Sequence, residues 1–147
     1  MANSDRSRFE ILRRRVYPTT STDVINKGDL LVVNSGNAKP ASSVSTTDAL
    51  ADAFIGVAIH AKPSTDTPEI VVGVDGVFEM DCSALGSAAN VGDAVEGVVV
   101  SGAISPQMVA VGSTNPIGKV AKAGAVGDTT LTVHLVGGGV DLPKAAD

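Results

Sequence analysis

The residues of this 147-residue chain that could do chemistry are two histidines, one cysteine, an alternating row of acids and a cluster of five arginines. General acid–base work needs an imidazole oriented by a neighbouring group. His60 and His134 both fall in strand-like runs with no evident orienting partner in sequence, so each reads as an ordinary strand residue. Neither has further ligands at metal spacing. Cys82 is single, which excludes an intrachain disulfide, and beside Asp81 it has no neighbouring cation to lower its thiol. Asp75, Glu79 and Asp81 alternate and so place several carboxylates on one face of a β-ribbon. Calcium takes about six to eight oxygens from a looped cluster, a spacing absent here, and the row reads as a solvated strand face. Gly137-Gly138-Gly139 lacks the lysine and hydroxyl of a phosphate loop, and no G-x-S-x-G elbow occurs. The expectation is a protein that is not an enzyme, with no catalytic residue, no metal and no cofactor.

The arginines point elsewhere. Arg6, Arg8, Arg13, Arg14 and Arg15 all lie in the first 20 residues, against Asp5 and Glu10, a net of +3. The remainder holds six lysines and 14 acids, a net of −8. This asymmetry suggests a basic arm, residues 1–20, on an acidic body. Guanidinium groups pair with carboxylates in a planar, bidentate way that lysine cannot copy. Phe9, Ile11, Leu12, Val16 and Tyr17 lie among the arginines as apolar anchors. The arm is therefore expected to be disordered alone and to order on a partner surface, and its deletion over residues 1–16 to leave the body folded. Aromatic residues are only Phe9, Tyr17, Phe54 and Phe78, too few for a base-stacking groove, and the net charge of −5 disfavours polyanions. No apolar run approaches the length of a membrane-spanning helix, and no uninterrupted apolar stretch follows Arg15, so no secretory signal is expected.

The elements that must carry these residues are strands. Valine and isoleucine total 29 against 11 for leucine and methionine, and branching at Cβ favours a pleated surface. Glycines and prolines punctuate short apolar runs. Strands are expected at Leu30–Asn34, Ile55–His60, Glu69–Val74, Gly76–Asp81, Ala94–Val99, Ile117–Ala121 and Thr130–Val136. One or two helical turns are expected over Thr46–Phe54, with Thr46 or Thr47 as N-cap.

The body also repeats. Asn26-Lys27-Gly28-Asp29-Leu30 is answered by Asn90-Val91-Gly92-Asp93-Ala94, Ser35-Gly36 by Ser101-Gly102, and Ile55-Gly56-Val57-Ala58 by Ile117-Gly118-Lys119-Val120-Ala121. Gly28-Asp29 and Gly92-Asp93 predict tight turns, because glycine reaches positive φ cheaply and aspartate bonds back to the backbone. Gly56 and Gly118 predict a bulge or a close backbone approach. Halves of about 60 residues bury too little surface to stand alone. The expected fold is all-β, a small pseudo-symmetric β-barrel or sandwich (β-tulip-like) of two internal repeats, with an extended N-terminal arm. Residues 21–140 form the single β domain, with repeats at about 22–78 and 87–140, and residues 141–147 form a flexible tail.

The order Gly28-Asp29-Leu30-Leu31, Phe54-Ile55-Gly56-Val57-Ala58, Ile70–Val74-Asp75-Gly76-Val77, Val91-Gly92-Asp93-Ala94-Val95, Ile117-Gly118-Lys119-Val120-Ala121 and Thr130–Leu135 resembles tailed-phage capsid decoration proteins, also called cement or stabilisation proteins. The resemblance spans about residues 22–140. It implies a β-rich structural protein of the virion, commonly a homotrimer, made in the host cytoplasm. Such a protein sits on the outer surface of the expanded head where capsomers meet and stabilises the shell against internal DNA pressure. The partners implied are the major capsid protein and further copies of the chain, with no direct nucleic-acid contact and no membrane. The charge argument adds Arg6, Arg8, Phe9, Ile11, Leu12, Arg13, Arg14, Arg15 and Tyr17 as the capsid-binding arm. An alternative from another class is a small-ligand or carrier-type duplicated β-barrel. Its biotinyl version needs a lysine flanked by methionines, and Met1, Met80 and Met108 have no lysine beside them. Its oxyanion-binding version would use backbone N–H groups and hydroxyls of the Ser/Thr/Gly turns.

Overall fold

The computed structural model describes residues 10–20, 23–62 and 69–137. Arg6, Arg8, Phe9 and the tail 141–147 lie outside the described residues. The fold is all-β, with β1 (Glu10–Pro18), β2 (Leu30–Asn34), β3 (Asn37–Pro40), β4 (Phe54–Ala58), β5 (Glu69–Asp81), β6 (Ala94–Val100), β7 (Ala103–Val111), β8 (Gly118–Lys122) and β9 (Thr130–Val136). Among the described residues one α-helix, α1 (Thr47–Ala53), precedes β4, and the Thr46 side chain caps it by accepting from the Ala49 N–H at 3.0 Å.

Three expectations of local structure are corrected. Glu69–Val74 and Gly76–Asp81 are one 13-residue strand, β5, rather than two. Asp75-Gly76 does not break it, because Gly76 has backbone against it: an added Cβ there would lie 2.6 Å from the Glu10 carbonyl oxygen. Strands β3 and β7 were not expected, since Lys39-Pro40 and Ser105-Pro106-Gln107 carry no β-branched pattern. Residues 10–18 are likewise not an arm without structure of its own. They form β1, antiparallel to β5 from Glu10–Val77 to Pro18–Glu69. Deleting residues 1–16 would therefore strip a strand from the sheet.

The sheet runs β3-β2-β4-β5-β7-β6-β8-β9, with β1 on β5 and a further pairing of β5 with β9. Strands β5, β9, β8, β6 and β7 thus come round into a ring, closed by a single parallel register pair, Asp81–Met108. Residues 75–77 of β5 pair with both β1 and β9, so those two strands occupy opposite edges. The same reasoning at Asp81, paired with Thr130 and Met108, places β7 on the β1 edge.

Equivalent hydrogen bonds recur along the chain. Gly28 N–H donates to the Ala58 carbonyl and Gly92 N–H to that of Val120. Ile25 and Lys62 exchange a pair of backbone bonds, as do Ala89 and Gly124. Asp29 and Asp93 each accept at Oδ2, at 2.9 Å, from the N–H of Asn26 and Asn90. The same turn occurs a third time, with Asp128 accepting from Ala125 N–H. Register follows suit: Tyr17–Ile70 and Pro18–Glu69 have their counterparts in Met80–Leu131 and Asp81–Thr130. By that correspondence β1 stands to the first half of β5 as the second half of β5 stands to β9.

Two apolar clusters fill the interior. The larger includes Leu30, Val32, Leu50, Phe54, Phe78, Met80, Val95, Ile104, Leu131, Val133 and Leu135. The smaller gathers Ile25, Leu31, Ala38, Ile55, Ala58, Ile70, Val72 and Val74, with Tyr17 against it. Successive residues of β2 (Leu30, Leu31, Val32) enter alternate clusters, as the two-residue period of a strand requires. Each large side chain so buried stabilises by about 1.5–3 kcal/mol.

At Gly56 and Gly118 neighbouring backbones come too close for a side chain. A Cβ on Gly56 would run into the Gly73 carbonyl oxygen, and one on Gly118 into that of His134. Gly92 has φ of +94° but open space around it. Gly56→Ala and Gly118→Ala should each cost about 2–4 kcal/mol through forced backbone displacement, and Gly92→Ala about 1 kcal/mol from the left-handed conformation alone. Urea unfolding of the three variants checks this ranking, and equal losses would refute the close-approach argument.

Candidate interaction surface on the N-terminal strand

Strand β1 has eight register pairs with β5 and no second strand partner among the described residues. Every other backbone N–H and C=O along its outer edge therefore points away from the sheet. The sequence explains why it is nonetheless a strand. Ile11 packs against the larger cluster, its Cδ1 lying over Gly73, and Tyr17 packs against the smaller one. Register irregularities on both sides of Arg13 shift the pairing between these two anchors.

Leu12 (62% exposed) and Val16 (57% exposed) face solvent, and Arg13, Arg14 and Arg15 are exposed with them. Arg15 stacks its guanidinium over the Tyr17 ring, 5.9 Å from the centroid, an arrangement that orients the cation while leaving it accessible. Arg13 is the register partner of Asp75. The Tyr17 hydroxyl oxygen is buried with no hydrogen-bond partner among the described residues.

Behind β1 the chain is pinned. Asp23 accepts from the Thr20 hydroxyl at 2.6 Å and from Lys39 Nζ at 3.1 Å. Lys62, almost fully buried, donates its ammonium to the Asp23 backbone carbonyl at 2.6 Å. Burial works against the Asp23 charge, but the Thr20 hydrogen bond and the Lys39 ammonium outweigh it and hold the carboxyl below the ordinary value.

The turn residues Gly28, Asp29, Gly56, Gly92, Asp93 and Gly118 do not gather at this surface. Asp29 is buried at the centre of the fold, where its second oxygen accepts from Gln107 Nε2 at 3.0 Å. This bond ties the first turn to β7, and nothing in the sequence signals it. Burial raises the Asp29 carboxyl above its ordinary value despite the hydrogen bonds from Asn26 and Gln107.

The histidines do have orienting partners, of which only the Ala61 carbonyl beside His60 is adjacent in sequence. His134 Nε2 lies 2.7 Å from Asp75 Oδ1 across β5 and β9. His60 Nε2 accepts from the Val71 N–H at 3.1 Å, which assigns the proton to Nδ1, 3.1 Å from the Ala61 carbonyl. The Cys82 thiol is pushed up by burial and by the charges of Asp128 and Asp81, which removes the thiolate a reactive cysteine needs. Among the described residues no group of three or more His, Cys, Asp or Glu could hold a metal ion, and no helix is long and apolar enough to cross a membrane. A shallow cleft of ≈280 Å³ lies between residues 82–88 and 109–111, lined by Cys82, Leu85, Val109 and small side chains without a charged group.

No protein-family model and no curated protein matches the chain. Among solved structures, the base of the head fiber protein gp8.5 of bacteriophage phi29 aligns at a TM-score of 0.44 and 12% identity. The alignment covers 84% of this chain and 94% of that one.

The two shifted carboxyls act oppositely on stability. Asp29, raised in the fold, binds its proton more tightly there than in the unfolded chain, so its protonation favours the fold as pH falls through the raised value. Asp23, lowered in the fold, contributes stability above the ordinary carboxylate value that is lost as pH falls below it. Asp29→Asn should lose stability at pH 7, because one oxygen cannot accept from both Asn26 and Gln107. It should also lack the gain the parent makes on acidification toward the ordinary carboxylate value. Urea unfolding of both proteins between pH 7 and about pH 4.5 measures the difference; parallel curves would contradict the assignment.

Proposed function

We propose that the chain is a structural, non-catalytic component of a tailed-phage virion that decorates the expanded head. It binds the outer surface of the shell at capsomer junctions and stabilises it against internal DNA pressure. The observation that carries this reading is β1, a strand with no second strand partner among the described residues, exposed Leu12 and Val16, and the guanidinium groups of Arg14 and Arg15 on one accessible ribbon. A partner strand laid along that edge gains backbone hydrogen bonds without a deep pocket, while carboxylates on it meet the arginines. The ordered motifs from Gly28-Asp29 to Thr130–Leu135 support the choice of capsid decoration as the setting. So does an acidic body, which keeps the chain away from polyanions and leaves β1 as its basic feature. The major capsid protein is the partner in this reading, and assembly of the chain into a homotrimer multiplies modest contacts into stable attachment.

The test is co-sedimentation of the full chain with expanded, undecorated tailed-phage heads encoded by the same genome. Because β1 belongs to the fold, the comparison is with surface variants that keep it: Leu12→Glu/Val16→Glu and Arg14→Glu/Arg15→Glu. Saturable binding at hundreds of copies per head is expected, with each double variant weakened about tenfold or more, equivalent to the loss of a few contacts. The Arg14/Arg15 share of the affinity should fall as salt is raised through the Debye-length range. Heads that bind no parent protein would refute the decoration reading; unchanged binding by both variants would remove β1 as the contact.

A further inference from the structure

Strand direction gathers three exposed valines at one end of the ring. Strands β5, β7 and β8 run one way and β6 and β9 the other, so Asp81, Val111, Lys122, Ala94 and Thr130 all lie at the same end. Two segments cross that end, residues 82–93 and 123–129, and backbone bonds hold them together. Gly127 N–H donates to the Leu85 carbonyl, Leu85 N–H donates to that of Asp128, and Ala89 and Gly124 bond each other in both directions. This ladder fixes the turns of Val91 and Val126 with their side chains outward, each 66% exposed, and Val111 is 44% exposed at the end of β7. Val111 also lines the ≈280 Å³ cleft, with Cys82, Leu85 and Val109.

Charge is confined to the margin of this end. Residues 83–92, 97–118 and 123–127 contain no Asp, Glu, Lys, Arg or His. The margin carries Asp81, Asp93, Glu96, Lys122 and Asp128, and three of these acids are bound to nearby backbone. Asp93 accepts from Asn90 N–H and Asp128 from Ala125 N–H, both at 2.9 Å, and Glu96 accepts from Thr114 N–H at 3.1 Å. Lys122 is exposed, with no acid partner among the described residues. Exposed apolar surface rimmed by polar groups marks a protein–protein contact, and the charges say which protein fits. Two copies of a chain with net charge −5 repel where their acids face each other. At this end they meet without acids in the contact. The margin holds both signs, as a self-complementary contact between identical chains requires.

We propose that this end of the ring is the surface through which copies of the chain associate. The occupant is a second copy, its valines packing against Val91, Val126 and the Val111 side of the cleft, with Lys122 of one copy opposite Asp128 of the other. Small side chains along residues 83–89 let the two backbones approach closely. The proposal rests on the self-assembly in the reading above and gives it a place. That place is separate from β1, which lies along residues 69–77 of β5, so both surfaces can be occupied at once.

Sedimentation equilibrium of the full chain alone, under reducing conditions and up to roughly 200 μM, decides it. The parent should self-associate. Val91→Asp/Val126→Asp should raise the dissociation constant about tenfold or more, and so should Ala88→Glu, a second exposed site on the same ribbon. Urea unfolding establishes that each variant is folded. Leu12→Glu/Val16→Glu should associate like the parent. Lys122→Glu should weaken association about threefold, and Lys122→Glu/Asp128→Lys should restore it. A parent that stays monomeric throughout would overturn the proposal while leaving head binding, measured separately, as it stands. Association unchanged in the Val91/Val126 and Ala88 variants, or lost in the Leu12/Val16 variant, would overturn the choice of surface. Failure of the reversed charge pair to restore association would overturn the Lys122–Asp128 contact.

Discussion

Every other strand finds its place through the double-sided pairing of β5. Over its first half β5 has β1 on one edge and β4 on the other; over its second half it has β9 opposite the β1 edge and β7 at its end. A strand paired on both edges must be extended throughout and narrow enough for its neighbours to approach. Gly73 and Gly76 meet that demand: side chains there would press on Ile11, Ile59 and Phe78, and at Gly76 on the Glu10 carbonyl as well. The two apolar clusters meet along this strand, Ile70, Val72 and Val74 entering one and Phe78 and Met80 the other. Between Val74 and Phe78 the strand thus passes from one interior to the other without a loop.

What was legible in the sequence was local. The boundaries of Leu30–Asn34 and Thr130–Val136 followed from β-branched runs between turns, and the Thr46 cap followed from hydroxyl chemistry within three residues. The Gly-Asp turns were legible because glycine and aspartate act on their own backbone. What was not legible depended on distant partners. β1 carries three consecutive arginines and reads as a solvated arm, and its strand character comes from Ile11 and Tyr17 meeting residues some sixty positions away. β3 and β7 are held by their neighbours rather than by propensity, and a proline in each hides them. Asp29 and His134 show the same limit at the level of single side chains, since Gln107 and Asp75 are brought to them only by the assembled sheet.

The charge distribution gives the structure its direction. The outward face around β5 mixes Asp75, Glu79 and Asp81 with Arg13 and Lys119, so opposite charges lie across neighbouring strands rather than in separate blocks. The exposed side of β1 is different, with cations and apolar side chains and only Glu10 of the opposite sign among its nine residues. An acidic protein has there a ribbon that tolerates a carboxylate-bearing neighbour.

The antiparallel lie of β1 on β5 has a mechanical consequence. A load drawn along the axis of β1 is applied in shear, shared by the whole ladder of eight register pairs, and rupture requires these bonds to yield together. A load lifting β1 sideways from one end peels the same ladder one bond at a time, each worth only about 1 kcal/mol net. The chain is thus anisotropic, strong against stretching of the surface in which β1 lies and weak against being levered off it. The anchorage of Asp23 by Thr20, Lys39 and Lys62 stands at the end of the strand where an axial pull would be received.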